Sequence, residues 1–137
     1  MPVKNLIITQ GDTFEWLIPV NDVNGNPLDM SGYTGGTAGA RGGIYRKSSD
    51  AAPVKPFAVT ILDKSGVLAA IAADLFRATD AEIAALSADN TGKRYLLVRL
   101  TATETKAVAV GGYMYKIEIE DTLGFVWKPY KGQVTVD

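Results

Sequence analysis

The sequence predicts an all-β fold, an antiparallel β-sandwich with one short inserted helix, and three observations predict it. Fourteen glycines and six prolines cut the chain into short apolar runs, the punctuation of strands joined by turns. Several of those runs alternate apolar and polar residues with the period of a half-buried strand. With 137 residues, 47% of them apolar and 21% charged, there is enough apolar surface for one core and too little chain for two. Residues 1–137 therefore read as a single domain.

The first ten residues hold one early charge and the apolar run Leu6-Ile7-Ile8, well short of a secretory core segment, so no signal peptide is expected. Residues 13–21 put Phe14, Trp16, Ile18 and Val20 on one face and Glu15 and Asn21 on the other. Pro19 has no amide donor, which places this strand at an edge or at a bulge. Asn24-Gly25 then marks a reversal, because both residues tolerate positive φ. Residues 35–43 contain five glycines. A weak strand loosened by glycine is expected over residues 40–47, and a polar, proline-containing loop over residues 48–56. Phe57, Val59 and Ile61 form the next alternating face. Residues 63–66 read as a turn and residues 67–73 as the returning strand of a hairpin.

Thr79-Asp80-Ala81-Glu82 matches a capping box, which starts a helix running to about Ala88 and stopped by Asn90-Thr91-Gly92. Residues 94–100 return to strand, with Leu96, Val98 and Leu100 inward and Tyr95, Leu97 and Arg99 outward. Residues 101–109 have no clear period; a helical turn crossing between sheets is one reading. Residues 113–120 are the cleanest strand: Tyr113, Tyr115, Ile117 and Ile119 oppose Met114, Lys116, Glu118 and Glu120. A turn at residues 121–124 leads into residues 125–130, and residues 133–136 form the last strand. Gly111-Gly112-Tyr113 resembles the tyrosine corner of immunoglobulin-like sandwiches.

Composition narrows the chemistry. Fourteen Lys and Arg against fifteen Asp and Glu leave a net charge of −1, which disfavours a nucleic-acid partner. The chain has no Cys and no His, so disulfides, thiolate metal sites, cysteine nucleophiles and the commonest general base are absent. No enzyme, cofactor or metal is expected. The most apolar stretch, residues 67–76, is interrupted by Asp74 and falls short of the roughly 18 to 20 residues that cross a bilayer, so no membrane partner is expected. Lack of cysteine suits both a reducing cytoplasm and an exposed particle, which leaves the compartment open.

Local motifs give way to plainer readings. Gly36, Gly39 and Gly42 invite a phosphate cradle, but no capped helix follows, and a flexible loop is the better account. Asp22, Asn24 and Asn26 occupy the first ligand positions of a calcium loop, yet Pro27 stands where Gly is required and Tyr33 where Glu is required. Glu118 and Glu120 lie on a polar strand face, the usual place for solvated charge. Trp127-Lys128-Pro129-Tyr130-Lys131 mixes aromatics with cations, a composition that also suits a single strand or a sugar. The near-neutral charge favours aromatics packed half into the core and half against a neighbouring subunit.

Two segments resemble a family of small bacteriophage structural domains related to the N-terminal domain of phage baseplate upper proteins. The first is Ile8-Thr9-Gln10-Gly11-Asp12-Thr13-Phe14, continued through Val20-Asn21-Asp22-Val23-Asn24-Gly25-Asn26-Pro27-Leu28-Asp29-Met30-Ser31-Gly32-Tyr33-Thr34. The second is Leu100-Thr101-Ala102-Thr103-Glu104-Thr105 with Gly111-Gly112-Tyr113-Met114-Tyr115-Lys116-Ile117-Glu118-Ile119 and the closing Gly132-Gln133-Val134-Thr135-Val136. The resemblance implies an immunoglobulin-like sandwich acting as a docking or adaptor module of a virion tail or baseplate, with no catalytic residues to carry over. Against that pattern, the helical segment at about residues 74–93 reads as an insertion. The expected role is that of a non-enzymatic virion protein, made in the bacterial host cytoplasm and present in many copies beside other virion proteins. Capsid decoration is the alternative, and carbohydrate or receptor binding a further one. The expected contact residues are Trp127, Lys128, Tyr130 and Lys131 on the aromatic-basic strand, with Arg41, Ile44, Tyr45 and Arg46 on the glycine-rich segment.

Overall fold

The structure, a computed structural model, describes residues 4–36, 39–47 and 49–137. The expectations for residues 1–3, for positions 37–38 of the glycine-rich run and for Ser48 lie outside the described residues. Among the described residues, eight strands form two sheets. β1 (Leu6–Ile8), β8 (Val126–Val136), β7 (Gly111–Glu120), β3 (Ala40–Tyr45) and β4 (Lys55–Pro56) make a five-stranded sheet in that spatial order. β2 (Phe14–Pro19), β6 (Tyr95–Leu100) and β5 (Ala58–Leu62) make a three-stranded sheet facing it. Three strands against a sheet in which β8, β7, β3 and β4 are neighbours is the arrangement of an immunoglobulin-like sandwich. Pairing is antiparallel except between β1 and β8, which run parallel with Leu6 opposite Val134.

The core lies between the sheets and follows strand alternation. Tyr113, Tyr115, Ile117 and Ile119 of β7 are all buried, and so are Leu96, Val98 and Leu100 of β6 and Ile44 of β3. The Tyr113 hydroxyl donates to the Ala109 carbonyl at 2.7 Å. This is the tie-back of a tyrosine corner, at the start of the strand where the sandwich expects it. α3 (Ala102–Lys106), capped reciprocally by Thr101 and Glu104, carries the chain from β6 in one sheet to β7 in the other. Pro19 sits on an edge strand. Because the Val20 amide donates to the carbonyl of Arg94, just before β6, the backbone nitrogen of the neighbouring position 19 points away from the sheet, and its missing donor costs no ladder bond.

Residues 67–73 are not a strand. α1 (Lys64–Ala72) occupies them, with Asp63 as N-cap accepting from the Gly66 amide at 2.7 Å. Alanine-rich sequence favours helix over strand, and the Asp-Lys-Ser-Gly that reads as a turn is equally a helix start. Val67 and Ala70, three apart, face the protein. α2 (Asp80–Ala88) starts on the expected capping box. Helix in this connection therefore begins well before residue 74, and two helices stand where one was expected. Together they bury Val67, Ala70, Phe76 and Leu86 against Tyr95 and Leu97. The face of β6 expected to point outward is thus the floor of a second, smaller core under a helical layer.

Two further expectations change. Residues 126–136 form one strand, not two, and an irregularity interrupts its pairing with β7 between Ile117 and Ile119. The glycines of β3 are packed, not loose: a Cβ on Gly42 would lie 2.7 Å from the Lys116 carbonyl and one on Gly43 2.7 Å from the Pro53 side chain. Close approach of neighbouring strands selects glycine there.

Candidate partner-binding surface

One end of the sandwich carries two loops with the same internal bonding. In the first, between β2 and β3, the Asp22 carboxylate accepts from the Asn24 and Asn26 amides at 2.9 and 3.0 Å. The Asp22 amide donates to the Asn26 carbonyl, and the Gly25 amide to the Asp22 carbonyl. In the second, between β7 and β8, the Asp121 carboxylate accepts from the Leu123 and Phe125 amides, each at 2.9 Å. The Asp121 amide donates to Phe125, and the Gly124 amide returns to Asp121. Gly25 and Gly124 hold φ of 82° and 87°, a conformation that costs an L-residue with a Cβ about 1 kcal/mol or more.

These hydrogen-bonded turns display apolar side chains. Val23 is 90% exposed, Leu123 82% and Phe125 72%, and Val126 at the start of β8 is also exposed. Burying such side chains against a partner is favourable by about 1.5–3 kcal/mol each, and the bonded turns have already met part of the ordering cost.

The aromatic-basic strand adjoins the first loop. Ile117 pairs with Tyr130 and Ile119 with Trp127, so two steps along β7 match three along β8. The extra residue is a bulge. It brings Trp127 and Tyr130, three apart in sequence, onto the same inward-turned face, where strict alternation would separate them. Tyr130 meets Trp16 edge to face at 5.1 Å, and Trp127 packs half-buried against the core. A cleft of about 550 Å³ lies between this strand and the loop, lined by Val20, Asn21, Asp22, Val23, Trp127 and Tyr130. A smaller one of about 260 Å³ on the same Asp22, Val23 and Trp127 reaches Leu28 and Tyr33.

A charged cluster braces the loop base. Arg94 donates to Asp89 at 2.8 Å and to the Asn21 side chain at 3.1 Å. The Tyr95 hydroxyl donates to the same Asp89 carboxylate at 2.5 Å, and the Thr91 amide to its other oxygen. Burial by itself would raise the Asp89 carboxyl. The bonds from Tyr95, Arg94 and Thr91 outweigh it and hold the group well below the ordinary carboxylate range. Burial, then the Asp89 contact, pushes Tyr95 up to about 12.

The expected contact residues are dispersed. Ile44 is 0% exposed and turned into the core, and Tyr45 is 7% exposed under the Lys116 ammonium at 4.2 Å; neither offers surface to a partner in this fold. Arg41 lies on the outward sheet face, bonded to Glu120 at 3.0 Å and close to Glu118. Arg46 sits past the far end of β3, over the Tyr113 ring at 5.6 Å. Lys131 is exposed on the outward face and Lys128 is half-buried beside the bulge. Only Trp127 and Tyr130 reach the cleft. Val23, Leu123, Phe125 and Val126 were outside the expected set; their signal was the Asp-x-x-Gly spacing that both loops share.

Among the described residues no group of three or more acidic, His or Cys side chains is placed to hold a metal, and no helix is long and apolar enough to cross a membrane. No protein-family model matches the chain, and no curated protein matches it.

Proposed function

We propose that this chain is a non-enzymatic structural protein of a bacteriophage virion, an adaptor of the tail or baseplate that docks through the end bearing the 22–26 and 121–125 loops. The observation that carries this reading is the exposure of Val23, Leu123 and Phe125 on turns closed by their own hydrogen bonds. Large apolar side chains held in water on bonded loops suit an interface. They have no evident role in holding the sandwich together. The sequence resemblance to phage baseplate domains supplies the virion setting, with many copies in a symmetric assembly beside other virion proteins. Nucleic acid and membrane have no part in it.

The test replaces Val23, Leu123 and Phe125 together by Ser. The variant should keep its circular dichroism spectrum and melting temperature and disappear from purified particles. Unchanged incorporation would remove this end from the interface. Immunogold labelling of particles locates the subunit: label on the tail supports the adaptor reading, label on the head selects capsid decoration, and absence of label from every particle rejects both. The Trp127 cleft favours one other reading, a glycan site with the indole as stacking platform. It requires a saturable change of tryptophan fluorescence on adding glycan.

A further inference from the structure

The four edge strands of the two sheets are not equally protected. β2 carries Pro19 at an outward position, β1 has three residues and β4 only two, ending in Pro56. Proline and brevity are the ordinary means of blunting a sheet edge. β5, Ala58-Val59-Thr60-Ile61-Leu62, has five residues and no charge, proline or bulge.

Its register identifies the groups that face outward. Val20 donates to Arg94, so the even-numbered residues of β6 bond to β2 and the odd-numbered ones to β5. Leu97 and Arg99 therefore bond to Thr60 and Ala58. The backbone groups of Val59 and Ile61 point away from the sheet. Phe57 confirms the alternation: its amide also points outward and donates to Gly42 of β3 at 2.9 Å. Among the described residues, Val59 and Ile61 have no such outer partner. Val59 and Ile61 line a groove of about 320 Å³ together with Met30, Tyr33, Thr34 and Lys93.

We propose that the 59–61 edge of β5 accepts an extended, uncharged segment of another protein as a fourth strand of this sheet. Main-chain donors and acceptors at two-residue spacing are matched by another extended backbone. Residues of the 30–34 segment line the same groove as the edge. Val59 and Ile61 turn inward and Ala58 and Thr60 outward, so the occupant should alternate apolar with small or hydroxylated residues.

The test uses the whole chain and the end-capped peptide Lys-Thr-Val-Thr-Val-Thr-Lys. At saturating peptide, amide exchange at Val59 and Ile61 should slow by about tenfold or more, while Glu15 and Leu17 on the β2 edge stay unchanged. Val59→Pro removes one outward donor without touching the β6 ladder and should abolish the protection at Ile61. A peptide N-methylated at both valines should fail to protect, and this arm decides the matter even if the proline variant does not fold. The triple Ser variant of the loops should bind the peptide as the parent does, which separates this site from the docking end. Absence of saturable protection, or equal protection by the methylated peptide, would overturn the proposal. So would a dimer of the chain alone, seen by sedimentation, that protects these same amides, since the occupant would then be a second copy.

Discussion

At the scale of single residues, the fold relies on a few side chains whose loss is measurable. The Tyr113 hydroxyl bonds the Ala109 carbonyl across the turn into β7. Tyr113→Phe keeps the ring and removes that bond, so unfolding stability should fall by about 1 kcal/mol, read as a lower urea midpoint at unchanged slope. An unchanged midpoint would mean that the corner is ornamental. Asp89 is the second case. Its carboxyl sits below the ordinary 3.8 in the folded protein, so folding favours the ionised form. Its contribution is complete above that ordinary value and is lost as pH falls toward the folded one. Asp89→Asn should cost about 2 kcal/mol at pH 7, and the gap from the parent should narrow on acidification below about pH 4. Tyr95 works in the opposite direction: raised to about 12, it contributes below its ordinary value of 10.0 and loses that contribution as pH rises through the folded one.

At the scale of elements, α1 shows how a helix ends where no glycine is available. The Leu75 amide returns to Ala70 and the Asp74 amide to Ile71, the paired bonds of a Schellman motif. Asp74 takes the left-handed position with φ of 61°. Glycine adopts that conformation without a Cβ penalty, so Asp74→Gly should raise stability by about 0.5–1 kcal/mol. Thermal unfolding measures it, and a lower melting temperature would show that the aspartate makes a compensating contact. The two display loops follow a related economy. Each closes on one aspartate and one glycine, leaving the intervening side chains free to face a partner.

At the scale of the whole molecule, the two cores differ in size and share β6 as a common wall. The larger gathers residues from both sheets, while the smaller holds Val67, Ala70, Phe76, Leu86, Tyr95 and Leu97. Fewer buried apolar contacts mean a lower cost of local opening. Native-state hydrogen exchange should therefore find α1 and α2 amides exchanging through openings of smaller free energy than those of β6 and β7. Equal values would indicate that the helical layer and the sandwich unfold as one unit. Opening the layer would expose Tyr95 and Leu97 and release Asp89 from the Arg94 brace at the loop base.

Asp-x-x-Gly occurs five times in the chain, at 22–25, 29–32, 63–66, 89–92 and 121–124, and its fates mark how far local sequence reaches. Read alone, each is a turn. At 22 and 121 the turn closes a loop, at 29 and 89 the carboxylate accepts from the amide two residues on, and at 63 it caps a helix. The local hydrogen bond is available to any aspartate so placed. What the chain does next depends on whether the following apolar residues find a neighbouring strand or a sheet face to cover.

Sequence by itself determined the sandwich, the alternation of β7, the α2 capping box, the tyrosine corner and the choice of edge or bulge for Pro19, because each rests on backbone stereochemistry within a few residues. Tertiary structure alone decided that Val67 and Ala70 lie on a helix, that Ile44 is inaccessible, and that a bulge turns Trp127 and Tyr130 to one side. It also decided that loops a hundred residues apart share an end. Those outcomes depend on which surfaces meet across the core, and no run of neighbouring residues contains that information.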